Sequence, residues 1–114
     1  MKNVLIVDGK SITSDAICTL LSGKAKVLRI STILQEPPEG EKYDIIFISG
    51  LMLQFRILDS MSYKNEHGTS DCKIVAISSL PFPSEVQNSA DLVFNKFDLI
   101  LKKEDALQKL LNLF

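Results

Sequence analysis

Tyr43-Asp44-Ile45-Ile46-Phe47-Ile48-Ser49-Gly50 is the run on which the architecture turns. Its continuous apolar centre, bounded by Asp44 and by Ser49-Gly50, is the pattern of a strand buried on both faces of a sheet. A strand wetted on one side would alternate apolar and polar residues instead. Runs of the same kind recur on either side. Val4-Leu5-Ile6-Val7 ends at Asp8, and Lys26-Val27-Leu28-Arg29-Ile30 is more mixed, which suits a place nearer an edge. Lys73-Ile74-Val75-Ala76-Ile77 and Leu92-Val93-Phe94 complete a set of five, with Asp44–Ile48 central.

Helical spacing fills most of the intervals. Ser11 to Ser22 carries Ile12, Ala16, Ile17, Leu20 and Leu21 on one side, with Gly23 as the stop. Ser31 to Glu41 is the weakest stretch: Ile33 and Leu34 open a helix that Pro37-Pro38 ends. Leu51 to Tyr63 is predicted as one helix with Leu51, Phe55, Leu58 and Met61 inward, followed by a polar loop from Asn65 to Ser70. Pro81-Phe82-Pro83 breaks the chain, Ser84 caps a short helix to Ala90, and a last helix runs from about Glu104 to Asn112 with Leu107, Leu110 and Leu111 apolar.

Strands alternating with helices predict an α/β, three-layer αβα sandwich around a doubly wound, five-stranded parallel sheet. The 114 residues suffice for a single domain, 1–114. Right-handed crossovers gather the C-terminal ends of all strands on one edge, where ligands of such sheets bind. That edge holds Asp8-Gly9, Ser49-Gly50, Ser78-Ser79 and Asn95-Lys96.

Composition narrows the function. A 46% apolar, 24% charged chain of net charge −1 has an ordinary globular profile and no general nucleic-acid surface. No apolar stretch is long enough for a bilayer, and Met1–Val7 is too short for a secretory signal, so a cytoplasmic setting is expected. Cys18 and Cys72 stand in no metal-binding spacing and read as reduced, packed hydrophobes. Gly9-Lys10-Ser11 imitates the tail of a phosphate-binding loop, but Val4 stands where the motif needs its first glycine. His67, the single histidine, reads as a solvated loop residue, and no Ser-His-acid arrangement is suggested.

The four strand ends, in order and spacing, resemble the receiver domain of bacterial two-component response regulators over essentially the whole chain. The resemblance implies a (βα)5 flavodoxin-like fold with strand order 2-1-3-4-5. Asp8 and Gly9 match the family's acidic pair, Ser49 its phosphorylated Asp, Leu53 the Pro that usually follows, Ser78 its Thr or Ser, Lys96 its Lys, and Val93 its switch aromatic. Of three expected carboxylates only Asp8 remains. The resemblance therefore implies a degenerate, phosphorylation-independent receiver that signals through protein contacts. Metal: none, with Mg²⁺ binding lost or very weak. Catalytic residues: none, because Ser49 has no predicted base beside it.

Asp8 and Lys96 are expected to pair directly, with capping near Ser11 as the plainer role for Asp8. Ser49-Gly50 reads as a tight turn, with anion binding as the alternative. The family's association face, built from the fourth helix, fifth strand and fifth helix, implies a possible homodimer, and Leu113 and Phe114 lie beyond what one helix face needs. Rival readings are a receiver answering another modification or small anion at Ser49 and Lys96, a small hydrolase using Ser49, and the N-terminal receiver of a larger DNA-binding regulator.

Overall fold

The computed structural model describes residues 1–8, 11–31 and 35–114. Gly9 and the helix start expected at Ile33 and Leu34 lie outside the described residues. The elements are β1 (Lys2–Val7), α1 (Ile12–Leu21), β2 (Ala25–Ile30), β3 (Tyr43–Ser49), α2 (Gly50–Gln54), α3 (Ser60–His67), β4 (Gly68–Ser78), α4 (Ser84–Ser89), β5 (Leu92–Asn95), α5 (Lys96–Ile100) and α6 (Glu104–Leu111). All paired strands are parallel, in the order β2-β1-β3-β4-β5. This is the flavodoxin-like arrangement, with β3 at its centre and β2 at an edge, as expected.

The period of two in the strands divides the core into two layers. Val4, Ile6, Ile45, Phe47, Val75 and Ile77 face one side, where Ile17 and Leu21 of α1, Leu99 of α5 and Leu110 of α6 cover them. Leu5, Val7, Ile46, Ile48, Ile74 and Ala76 face the other, under Leu53, Leu58 and Val86. Burial on both faces is why β1, β3 and β4 are unbroken apolar runs.

The helices depart from expectation in instructive ways. Ser11 caps α1: its hydroxyl accepts the Ser14 N–H at 3.1 Å, and Ser14 Oγ accepts the Ser11 N–H at 3.0 Å. That cap sets the helix's rotation. Thr13, Ser14, Ile17 and Leu21 are buried, and Ile12 is turned out, 73% exposed. Arg29 of β2 pins this turn through Ser14 Oγ at 3.2 Å and Asp15 Oδ1 at 2.5 Å.

The single helix expected from Leu51 to Tyr63 is two. After Gln54, the Arg56 N–H donates to the Leu53 carbonyl at 3.3 Å and the Ile57 N–H to the Met52 carbonyl at 2.9 Å. These paired bonds form a Schellman stop, closed by Arg56 at φ 54°. The break turns Leu51, Phe55 and Met61 outward, and Leu53 and Leu58 take the core positions. The expected polar loop from Asn65 is instead the end of α3 and the start of β4, so His67 is buried rather than solvated. Ser84 begins α4 and does not cap it; the N-cap is Pro83. In the last helix Leu110 is buried and Leu111 exposed, and Leu113, expected beside Phe114 at an association face, packs on the core instead.

Candidate functional site

Four strand ends meet at a cleft of about 660 Å³ on the C-terminal edge of the sheet. Asp8, Ser49, Ser78 and Lys96 all line it. Parallel pairing explains the convergence: Ser49 stands in register with Ile77, and Ser78 with Asn95. The sequence therefore identified four neighbours in space from residues scattered along the chain.

Asp8 follows β1 directly and is half-buried. Its Oδ2 accepts the Ser11 hydroxyl at 2.9 Å. Burial pushes the carboxyl above its ordinary pKa; the Ser11 hydrogen bond and the Lys96 charge act the other way. The expected direct pair is not formed: among the described residues no ion pair within 4.0 Å joins Asp8 to Lys96. The Lys96 ammonium lies 5.1 Å from the centroid of the Phe97 ring and reaches Asp8 only through space. The capping role expected of Asp8 belongs to Ser11, which Asp8 supports.

Ser49 is the last residue of β3 and the N-cap of α2, yet its hydroxyl makes no capping hydrogen bond. Gly50 accounts for the close approach of the neighbouring strand end. A Cβ at Gly50 would stand 2.7 Å from Ser78 Cβ, 2.8 Å from Ser78 Oγ and 3.0 Å from the Ile77 carbonyl. Only glycine lets the β3 and β4 ends meet so tightly. The Ser78 hydroxyl donates to the Ser79 carbonyl at 3.3 Å. Lys96 opens α5, whose cap is the Asn95 side chain accepting the Phe97 N–H at 3.1 Å. Val93 lies outside the cleft lining, partly buried on the second layer, and its carbonyl accepts from Lys109 Nζ at 2.9 Å.

Sequence reasoning missed Thr13, Gln54, Leu51, Leu80 and Pro83 as lining residues. Leu51 and Leu80 are 62% and 63% exposed, so the cleft has an apolar rim. The signal that finds Leu51 and Leu80 is topological: each lies two residues past a strand's C-terminal end. Among the described residues, Asp8 and Lys96 are the only lining side chains that carry charge.

No family model matches the chain, and no curated protein does. Solved structures do. A response regulator from Thermotoga maritima is 17% identical, with a TM-score of 0.62, over 95% of this chain and 98% of that one. A response regulator receiver protein from Pseudoalteromonas atlantica is 12% identical, with a TM-score of 0.58, over 96% and 97%. The chain has a receiver-like fold. At such identities the likeness is one of architecture, and what the cleft does must come from its own side chains. No helix among the described residues is long and apolar enough to cross a membrane.

Proposed function

We propose that this receiver-like domain works in two-component-type signalling as a protein-contact module, without accepting a phosphoryl group and without enzymatic activity. The observation that carries this reading is the charge inventory of the cleft among the described residues: one half-buried carboxylate, Asp8, and one ammonium, Lys96. Phosphoryl transfer to a receiver needs a carboxylate nucleophile and a hard dication. Ser49 stands at the acceptor position, and Gly9, by its residue type, supplies no carboxylate.

The donor set does not fit Mg²⁺. A small dication seeks carboxylate and phosphate oxygens in octahedral array. Here one carboxylate already accepts a hydrogen bond from Ser11, burial disfavours its charge, and a lysine shares the cleft. Nor is Ser49 equipped as a nucleophile. The only histidine lies at the opposite end of β4, out of reach as a base.

Protein contact is supported by the apolar rim. Leu51, Leu80 and Phe97 are exposed beside the cleft, and Leu101 lies just past α5. Phe97 and Leu101 follow directly on β5, and a partner or a second copy would dock over these exposed apolar side chains. Incubating the protein with a small phosphodonor and Mg²⁺, then measuring intact mass, tests the reading. The expected spectrum shows unmodified chain. A stable phosphoryl adduct would favour the rival in which Ser49 is modified, and a labile one at Asp8 would overturn the reading.

A further inference from the structure

Three metal-ligating side chains converge at the other edge of the sheet. His67 closes α3, Glu66 precedes it, and Glu36 approaches from the segment before β3. His67 Nε2 lies 3.6 Å from Glu36 Oε2 and 3.7 Å from Glu66 Oε1, and the three donor atoms fall within 4.8 Å of one another. We propose that Glu36, Glu66 and His67 form a binding site for a borderline dication, with Zn²⁺ the best fit.

The spacing supports it. Two donors each ~2.1 Å from a tetrahedral ion stand about 3.4 Å apart, so the two measured separations need to close by only a few tenths of an ångström. Donor chemistry selects the ion: imidazole with carboxylates suits zinc, whereas Mg²⁺ and Ca²⁺ prefer oxygen alone. Three protein ligands leave the fourth position for water or an exogenous ligand, and a recess of about 520 Å³ opens there, lined by Glu36, Gly40, Lys42, Glu66 and His67.

Burial and a ring contact hold the imidazole in place. The His67 side chain is only 11% exposed, and its Nε2 is aimed at the two carboxylates. The Tyr63 ring packs against His67 with centroids 4.5 Å apart and planes tilted by 52°. Two carboxylates drawn this close repel each other unless a cation lies between them. The position of His67 at the C-terminal end of α3 adds a further cation-favouring field. Lys42 also lines the recess, but its ammonium is engaged by the Glu66 carbonyl at 2.5 Å.

Isothermal titration of the full chain with Zn²⁺, under reducing conditions, tests the site. The expected result is one ion per chain, with movement of the His67 imidazole resonances. Removing a supporting contact of a metal ligand typically weakens binding 10–100-fold, so the exposed pair Glu36→Gln and Glu66→Gln together should cost more than about 100-fold. Their far-ultraviolet circular dichroism should match the parent, and Asp8→Asn should bind zinc unchanged. Absent uptake, uptake indifferent to the double substitution, or uptake abolished by Cys18→Ser would overturn the proposal. None of these outcomes bears on the phosphoryl chemistry of the opposite edge.

Discussion

Among the described residues, the C-terminal edge of the sheet gathers hydroxyls, a glycine and an apolar rim around one carboxylate and one ammonium. The N-terminal edge gathers carboxylates, and most of them have work in the fold. Asp44 accepts the Asn3 N–H at 2.8 Å and the Thr69 hydroxyl at 3.4 Å, and Asp91 accepts the Ile74 N–H at 2.8 Å while pairing with Lys64 at 3.7 Å. These acids satisfy strand amides near the ends of the ladders. Among the described residues Glu36 and Glu66 make no such contact, and they face His67 instead. The contrast teaches that strand topology gathers residues at an edge, and side-chain chemistry decides what the edge can hold.

The largest expected effect separates the glycines of the two edges. At Gly68 a Cβ would meet the Lys64 carbonyl and Cys72 Cβ at 2.7 Å each, so backbone must move. Gly68→Ala should cost about 3 kcal/mol in chemical denaturation, little of it recovered by Cys72→Ala, which keeps the clashing Cβ. Gly50→Ala meets mainly Ser78. It should cost about 1–2 kcal/mol, most of which returns with Ser78→Gly in a double-mutant cycle. If the two glycines behaved alike, the packing contrast would fail.

A smaller effect concerns the two helices launched from the C-terminal edge. α2 and α5 both end in Schellman stops closed by residues at positive φ, Arg56 and Lys102, each at 54°. Arg56→Gly and Lys102→Gly should each raise stability by about 0.5–1 kcal/mol, read as a higher denaturation midpoint at unchanged slope.

The smallest effect has the most informative sign. Burial raises the Asp8 pKa in the folded chain, so the fold disfavours its ionised form. That penalty is full above the folded pKa and vanishes below the unfolded one. Asp8→Asn keeps an acceptor for Ser11 and should therefore be slightly more stable than the parent near neutral pH, with the difference disappearing in acid. A destabilised Asp8→Asn at neutral pH would mean that the Lys96 charge, not burial, dominates the cleft.

Much of this was legible in the sequence for a physical reason. A strand buried on both faces must be apolar throughout, so β1, β3 and β4 and their order along the chain announce themselves, and parallel winding brings Asp8, Ser49, Ser78 and Lys96 to one edge. Helix ends were not legible where arginine and lysine occupy positions that glycine usually marks. The break after Gln54 consequently reversed the faces of Leu51, Phe55 and Met61. The burial of His67 escaped notice because its neighbours in sequence are polar, whereas its neighbours in space are Tyr63 and the segment bearing Glu36. A direct Asp8–Lys96 contact follows from charge balance and the receiver resemblance, but Ser11, three residues from Asp8, competes for the same carboxylate oxygen.

The central claim is that the C-terminal cleft holds too little negative charge for a dication and a phosphoryl group. Amide spectra of the isotopically labelled chain, recorded with Mg²⁺ and beryllium fluoride, test it most directly. The account predicts unshifted resonances at Asp8, Ser49, Ser78 and Lys96. Saturable shifts at those four positions would contradict it.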